Sequence, residues 1–160
     1  MPTLEAALAV MLPRYIPLIE HKAGGAARYV AELRRLGVAT ECILQSFDWS
    51  FVAAARALAP ELATAVLGPT PEHGRPDARA LDAAKAMGAG MVHWEASSLR
   101  EDEVRLVHST GMLLTTYTTN DAIGWCGGAT LGFDAMCTDD PTGMLALRAA
   151  GRLRATGRGA

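Results

Sequence analysis

The alternation of strand-like and helix-like segments constrains the fold of this chain more than any other feature of its sequence. Short apolar runs predict six strands, at 15–20, 41–45, 62–67, 90–93, 112–117 and 133–137. Segments of helical periodicity lie between them, so the strands recur roughly every 20 to 27 residues. This pattern is typical of repeated βα units around a parallel sheet.

Local signals place the helices between these strands. Helices are predicted at 3–12, 26–36, 49–58, 78–87, 101–110 and 141–150, and one more begins at Asn120 or Asp121 and ends near 126–128. Thr3 can cap the first helix, Ser46 and Asp48 can cap the helix at 49–58, and Pro141 suits a first helical turn. Residues 68–77 are rich in Pro and Gly, which predicts a loop.

A doubly wound sheet and a TIM barrel both produce such an alternation. Two observations favour the barrel. The Gly-rich phosphate fingerprint of a Rossmann unit is absent. Polar residues also follow the strands directly, at Glu20, Ser46, Asn120 and Asp139, and in a barrel those strand ends form the rim that carries active sites. We therefore predict an α/β fold of TIM-barrel type over residues 1–150, incomplete because it has about six of the eight βα units.

Composition excludes several classes of protein. The formal net charge is −2, which argues against a nucleic-acid-binding surface. The basic residues near the C-terminus lie in a segment, 151–160, that we expect to be a disordered tail. No apolar run approaches the ~18 residues of a membrane span, and no signal peptide is recognisable. A cytoplasmic protein is expected, although a targeting signal upstream of this sequence is left open.

The three cysteines, Cys42, Cys126 and Cys137, do not have the spacing of a zinc site. Their odd number also argues against a disulfide framework. Cys42 and Cys137 fall in apolar strand-like runs, so both are expected to be small buried hydrophobic residues.

The end of the first predicted strand offers the clearest candidate for chemistry. On a strand, residues two apart point to the same side, so Glu20 and Lys22 share one face and His21 takes the other. A carboxylate can bind a divalent cation, and an ammonium group can bind a phosphate. His21 is expected to be a packed or a surface histidine rather than a catalytic one. His93 and Ser46 also lie at strand ends and are weaker candidates for ligand contact.

Five short motifs, taken together, resemble the glycerophosphodiester phosphodiesterase family. In chain order they are Pro2-Thr3-Leu4-Glu5, Ile19-Glu20-His21-Lys22, Gln45-Ser46-Phe47-Asp48, Tyr117-Thr118-Thr119-Asn120-Asp121 and Thr138-Asp139-Asp140-Pro141. The resemblance extends from Pro2 to about Leu147. It implies a TIM barrel that hydrolyses glycerophosphodiesters to glycerol 3-phosphate and an alcohol, in lipid metabolism, with a divalent metal such as Mg²⁺ or Ca²⁺.

The resemblance also implies roles for individual residues. Glu20 corresponds to the metal-binding carboxylate and Lys22 to the phosphate-side lysine of the family's Glu-x-Lys strand. Tyr117 and Asn120 correspond to residues that line the substrate pocket, with Tyr117 in the place of the usual Trp.

The sequence departs from the family in its catalytic motifs. The family's His-Arg-Gly, Glu-Asn-Thr, Glu-x-Asp and His-Asp motifs do not occur in these 160 residues. The two histidines that act as general acid and base, and the Glu-x-Asp pair of the metal site, are therefore missing. We expect no catalytic residue in this chain, a metal held weakly if at all, and no activity by the chain alone, as in a piece of a longer phosphodiesterase.

A non-catalytic role is the alternative interpretation. Six strands in an incomplete barrel leave strand edges and apolar interior exposed, and such surfaces favour association. On this interpretation the chain binds phosphate or forms a homo-oligomer through its exposed barrel edges.

Overall fold

A computed structural model describes residues 2–12 and 14–153 and divides them into two compact units. The first unit comprises the residues up to Leu67 together with Ala83–Gly90. The second comprises Gly68–Asp82 and the residues from Met91 onward. The predicted basic tail falls mostly outside the described residues, which end at Leu153.

The first unit alternates helices and strands from its N-terminus. Its elements are α1 (Leu4–Met11), β1 (Leu18–Glu20), α2 (Ala26–Arg35), β2 (Ile43–Ser46), α3 (Trp49–Leu58) and β3 (Ala63–Gly68), of which Gly68 belongs to the second unit. Strand β2 lies between β1 and β3 and is parallel to both, with Gln45 opposite Glu20 on one side and Ala65 on the other. The carboxyl ends of these strands therefore lie at the same edge.

The second unit continues the same alternation. Helix α4 (Ala78–Ala86) crosses the division between the units. It is followed by β4 (Met91–Glu95), a single 3₁₀ turn at Ala96–Ser98, α5 (Glu101–Ser109), β5 (Leu113–Tyr117), α6 (Ala122–Leu131), β6 (Ala135–Met136) and α7 (Pro141–Ala149). Strand β5 is parallel to β4 and β6, and Tyr117 lies opposite Glu95. Six parallel strands with intervening helices confirm the predicted α/β fold of incomplete TIM-barrel type.

The core of the first unit forms where its helices turn an apolar stripe toward the strands. Val30 and Leu33 of α2, at helical spacing, are buried with Leu44 of β2 and with Phe51 and Ala55 of α3. The helical spacing of Val30 and Leu33 thus brings both side chains to the core side of α2. Burial at these sites stabilises the fold by about 1.5–3 kcal/mol for each large aliphatic or aromatic side chain.

Strand β1 is shorter than the predicted strand at 15–20. Only Leu18–Glu20 forms the strand, and among the described residues it pairs with β2 alone. Tyr15 and Ile16 precede it with 65% and 72% of their surface exposed. Among the described residues β1 is therefore the first strand of the series, and the two apolar side chains that precede it are exposed.

Helix α6 extends further than the sequence predicts. Its two consecutive glycines indicated an end near 126–128, but the helix continues to Leu131 and is capped by Gly132 in the left-handed conformation, at φ 93°. Gly128 lies within the helix because a Cβ atom there would come within 2.6 Å of Phe133 Cδ2 and 2.5 Å of Met136 Sδ. The glycine permits close packing instead of ending the helix.

Over the residues described, none of the helices has the length and apolar character to cross a lipid bilayer.

Candidate functional site

The structure brings Glu20 and Lys22 together at the carboxyl end of β1. Lys22 Nζ donates to Glu20 Oε1 at 2.6 Å. The lysine side chain is 76% exposed and the glutamate side chain 30%. The predicted pair is thus a surface ion pair, in which the ammonium group is open to solvent and the carboxylate is partly shielded.

His21, between these two residues, anchors the strand end to its surroundings. Its ring stacks on Phe51 of α3, with centroids 3.7 Å apart and planes 10° from parallel. The edge of Tyr29 of α2 meets the same ring, with centroids 5.5 Å apart. This confirms that His21 is a packing residue, and it shows that two helices fix the backbone on which Glu20 and Lys22 lie.

The hydrogen bonds of His21 assign its tautomer. Nε2 lies 2.9 Å from the carbonyl oxygen of Gly24, which can only accept, so Nε2 carries a proton. In the neutral ring Nδ1 then accepts from the Ser46 hydroxyl at 3.1 Å. Ser46 Oγ in turn accepts from the backbone N–H of Asp48 at 2.9 Å. Both ring nitrogens are engaged, and the ring joins the ends of β1 and β2.

Ser46 and Asp48 form the beginning of α3. Ser46 is almost completely buried. The Asp48 carboxylate caps α3 by accepting from the Ser50 hydroxyl and from the backbone N–H groups of Ser50 and Phe51. These hydrogen bonds, the Ser50 hydroxyl foremost, lower the pKa of Asp48. Here Ser46 supports His21 and the α3 cap, and its hydroxyl is not presented to solvent.

A cavity of about 690 Å³ lies beside Glu20 in the first unit. Its charged lining consists of Glu20, Arg28 and Glu32, and Ile19 and Tyr29 supply apolar walls. The volume falls within the range of ~300–1,000 Å³ that is usual for small-molecule sites. Two carboxylates against one guanidinium do not favour a phosphate group, however, and Lys22 is not in the lining. The cavity is therefore a weaker candidate for phosphate binding than the exposed ammonium group of Lys22.

In the second unit, Tyr117 and His93 pack against each other. The ring centroids are 5.2 Å apart and the planes 83° from parallel. The Tyr117 hydroxyl donates to the carbonyl oxygen of Gly68 at 2.7 Å. His93 is 2% exposed, and its Nε2 lies 3.6 Å from Cys137 Sγ. Tyr117 is thus held in one orientation, and His93 is part of a buried contact with a thiol.

Asn120 links the strand ends of β5 and β6. Its Nδ2 donates to Asp139 Oδ2 at 2.7 Å, and its Oδ1 accepts from the Asp139 backbone N–H at 2.8 Å and from the Thr138 hydroxyl at 3.2 Å. Asp139 therefore binds Asn120, and the residue that caps α7 is Asp140. The amide of Asn120 holds two loops together at the place where a pocket residue was predicted.

The described part of the chain does not assemble a metal site. No group of three or more His, Cys, Asp or Glu side chains lies close enough together there to hold a metal ion. Divalent cations such as Mg²⁺ and Ca²⁺ require several oxygen ligands, and Glu20 supplies the carboxylate of a single residue that already binds Lys22.

Some residues of the site were not identified from the sequence. Tyr29 and Phe51 belong to α2 and α3, and nothing in their spacing shows that they meet His21. Cys137 was expected to be buried, but it is partly exposed and contacts His93. Its place after an apolar run gave no sign of the histidine, which is 44 residues away.

The chain matches a known protein family. The sequence model described as "Glycerophosphoryl diester phosphodiesterase family" matches residues 4–142. No curated protein matches this chain.

Solved structures share the fold. A protein of Silicibacter pomeroyi, described as a candidate glycerophosphoryl diester phosphodiesterase, superposes with a TM-score of 0.82 at 22% identity and covers 97% of this chain and 58% of its own. A glycerophosphodiester phosphodiesterase of Parabacteroides distasonis gives 0.79 at 21%, covering 94% and 65%. An Oleispira antarctica phosphodiesterase in complex with the product sn-glycerol-3-phosphate gives 0.79 at 19%, covering 92% and 61%. This chain therefore spans about three-fifths of the length of these relatives.

Proposed function

Because this chain belongs to the glycerophosphoryl diester phosphodiesterase family, we propose that it carries the phosphate side of a site for glycerophosphodiesters. The pairing of Glu20 with Lys22 at the carboxyl end of β1 carries the proposal, since the family places a metal-binding carboxylate and a phosphate-side lysine there. The reaction of the complete site would be hydrolysis to glycerol 3-phosphate and an alcohol. Tyr117 and Asn120 are proposed to line the pocket.

Lys22 suits its proposed role because its ion pair with Glu20 is weak. An ion pair between exposed side chains contributes only about 0.2–1 kcal/mol. The ammonium group can therefore leave Glu20 for a phosphate at little cost, and a phosphate offers more negative charge than one carboxylate. Lysine binds phosphate as a point charge with three donors, which tolerates variation in the angle of approach.

Glu20 is proposed as one metal ligand, but the described residues do not fit a complete metal centre. Catalytic use of Mg²⁺ or Ca²⁺ would need further oxygen ligands, and the described residues contain no group of three or more His, Cys, Asp or Glu side chains that could hold such an ion.

The chain by itself is proposed to bind without turnover. Hydrolysis of a phosphodiester requires a positioned base for water and an acid for the leaving alkoxide, and each such group contributes about 10²–10⁴-fold to the rate. Of the four histidines, His21 has both ring nitrogens engaged, His93 is buried against Cys137, and His108 pairs with Asp134 at 3.0 Å. The fourth, His73, lies in the loop between β3 and α4. The family's catalytic histidine motifs do not occur in the sequence.

Titration with sn-glycerol 3-phosphate tests the proposed phosphate contact. Amide chemical shifts of the chain should move at Lys22 and its neighbours, whereas glycerol, which lacks the phosphate, should produce no change. Lys22→Ala should abolish the response and Lys22→Arg should preserve most of it. Lys85→Ala, on α4, is the matched control and should bind normally. If Lys22→Ala showed the same amide shift changes as the wild type, the assignment of Lys22 as the phosphate contact would be refuted.

Self-association is a second candidate, favoured by the open edge of β1. That edge is flanked by the exposed side chains of Tyr15 and Ile16, and unpaired strand edges readily accept another strand. A second copy of the chain is the proposed partner. Light scattering after size-exclusion chromatography should show a dimer or larger species, which Ile16→Lys shifts toward monomer. Val10→Lys, on the exposed face of α1, should have no such effect. A wild-type chain that remains monomeric at all concentrations would exclude this function.

A further inference from the structure

A thiol and an imidazole meet in the second unit, outside the proposed phosphate contact. Cys137 Sγ lies 3.6 Å from His93 Nε2, within the distance expected for a hydrogen bond to sulfur. Cys137 is a partly exposed residue, whereas His93 is 2% exposed. A partly accessible thiol that contacts a buried nitrogen base is the arrangement in which a cysteine becomes a nucleophile, because the thiolate is the reactive form.

Both partners are fixed in position. Cys137 donates its backbone N–H to the Thr116 carbonyl at 2.7 Å and accepts from the Thr119 N–H at 3.0 Å. His93 lies on β4, and the edge-to-face contact with Tyr117 holds its ring. The sulfur and the nitrogen are therefore brought together by strand pairing and ring packing, with no dependence on a flexible side chain.

Two acidic residues that follow Cys137 in the chain have hydrogen-bond partners of their own. Asp139 binds the Asn120 amide, and Asp140 caps α7 by accepting from the Gly143 N–H at 2.8 Å. The Cys137 sulfur contacts the imidazole of His93, which is a titratable base.

We propose that Cys137 is a reactive thiol that takes small disulfides, with His93 as its base. The Sγ–H proton passes to His93 Nε2 while Sγ attacks one sulfur of the disulfide. A new S–S bond forms, the original one breaks, and the departing thiolate takes the proton from His93. The products are a mixed disulfide at Cys137 and a free small thiol. This inference does not depend on the proposed phosphodiester site.

The other two cysteines of the chain serve as internal controls. Cys126 is also a partly exposed residue, and its thiol donates to the backbone carbonyl of Arg152 at 3.6 Å. Cys42 is 1% exposed, and burial raises the pKa of its thiol. Cys126 therefore measures the rate of a thiol that contacts a backbone carbonyl, and Cys42 reports unfolding because it reacts only when the core opens.

The test is the rate of modification by 4,4′-dithiodipyridine, resolved by residue with mass spectrometry. Near pH 7, Cys137 should react about tenfold faster than Cys126 or more. Between pH 8 and pH 6 the rate at Cys137 should fall several-fold less than the rate at Cys126, because the thiolate is the reactive form. His93→Gln should remove both differences while Cys42 stays protected.

Two results would overturn the proposal. One is equal or slower reaction of Cys137 compared with Cys126 in the wild-type chain. The other is a fast Cys137 whose rate His93→Gln leaves unchanged. The comparison of Cys137 with Cys126 uses the wild-type chain, so it tests the proposal even if His93→Gln exposes Cys42.

Discussion

At the scale of the residue, Glu103 joins two segments of the second unit through one carboxylate. Oε1 accepts from the Arg75 guanidinium in a very short contact, and Oε2 accepts from the backbone N–H of Arg100 at 2.9 Å, at the start of α5. The Glu103 side chain is 10% exposed. The bond from Arg75, which outweighs the opposing effect of burial, lowers the pKa of Glu103.

Stability should therefore depend on pH through Glu103. Since its pKa is lower in the folded chain than in the unfolded one, its contribution is complete above the unfolded value of about 4.3 and is lost as the pH falls through the folded value. Glu103→Gln should cost about 1 kcal/mol near neutral pH. It should also reduce the loss of stability on acidification, as measured by urea unfolding at neutral and acidic pH.

Glu101→Gln provides the control for Glu103→Gln. Glu101 is on the same helix, but its side chain is 69% exposed, and it pairs with Arg105 one turn further along. That substitution should leave the pH dependence of unfolding as it is in the wild type. An equal effect of the two substitutions would contradict the role given to Glu103.

How far single residues can be predicted from the sequence depends on whether their partners are close in the chain. Glu20 and Lys22 are two residues apart, so strand geometry alone predicts that they meet, and they do. The contacts of His21 with Phe51, and of His93 with Cys137, join different elements. Such pairs follow from register and packing, which no local pattern reveals.

At the scale of the element, α6 depends on a glycine for its packing. A Cβ atom at Gly128 would come within 2.6 Å of Phe133, whereas one at Gly127 would meet nothing within 4 Å. Gly128→Ala should destabilise the chain by about 1–3 kcal/mol, because the added methyl group would overpack the core around it. Gly127→Ala, one position earlier in the same helix, should be stabilising by up to about 1 kcal/mol because alanine favours the helix.

Thermal or urea unfolding of both variants distinguishes packing from helix propensity. Opposite signs at adjacent positions are expected. Stabilisation by both substitutions would show that Gly128 has no packing role.

The boundaries of elements were predicted best where a chemical stop is present in the sequence. Thr3 and Asp48 cap α1 and α3 as predicted, and Pro141 begins α7. The boundary was wrong in α6, where glycines serve close packing, and in β1, where only three of the expected six residues form a strand. Both errors arise because tertiary contacts decide between conformations that the local sequence permits.

At the scale of the whole molecule, the order of the five sequence motifs indicated the family better than any single motif did. The alternation of elements predicted the α/β class, and five short motifs in sequence predicted the family, which the match over residues 4–142 confirms. The site could be predicted only in part, because the chain spans about three-fifths of the length of its solved relatives. Within the described residues, no group of three or more His, Cys, Asp or Glu side chains could hold a metal ion.

The central claim is that this chain holds the phosphate side of a phosphodiesterase site and does not complete the reaction alone. Hydrolysis of glycerophosphocholine with added Mg²⁺ or Ca²⁺, compared between the wild type and Glu20→Ala, tests it most directly. We predict no turnover above the buffer rate for either chain. Turnover by the wild type that disappears in Glu20→Ala would contradict this account, since it would require a working catalytic site built from these residues.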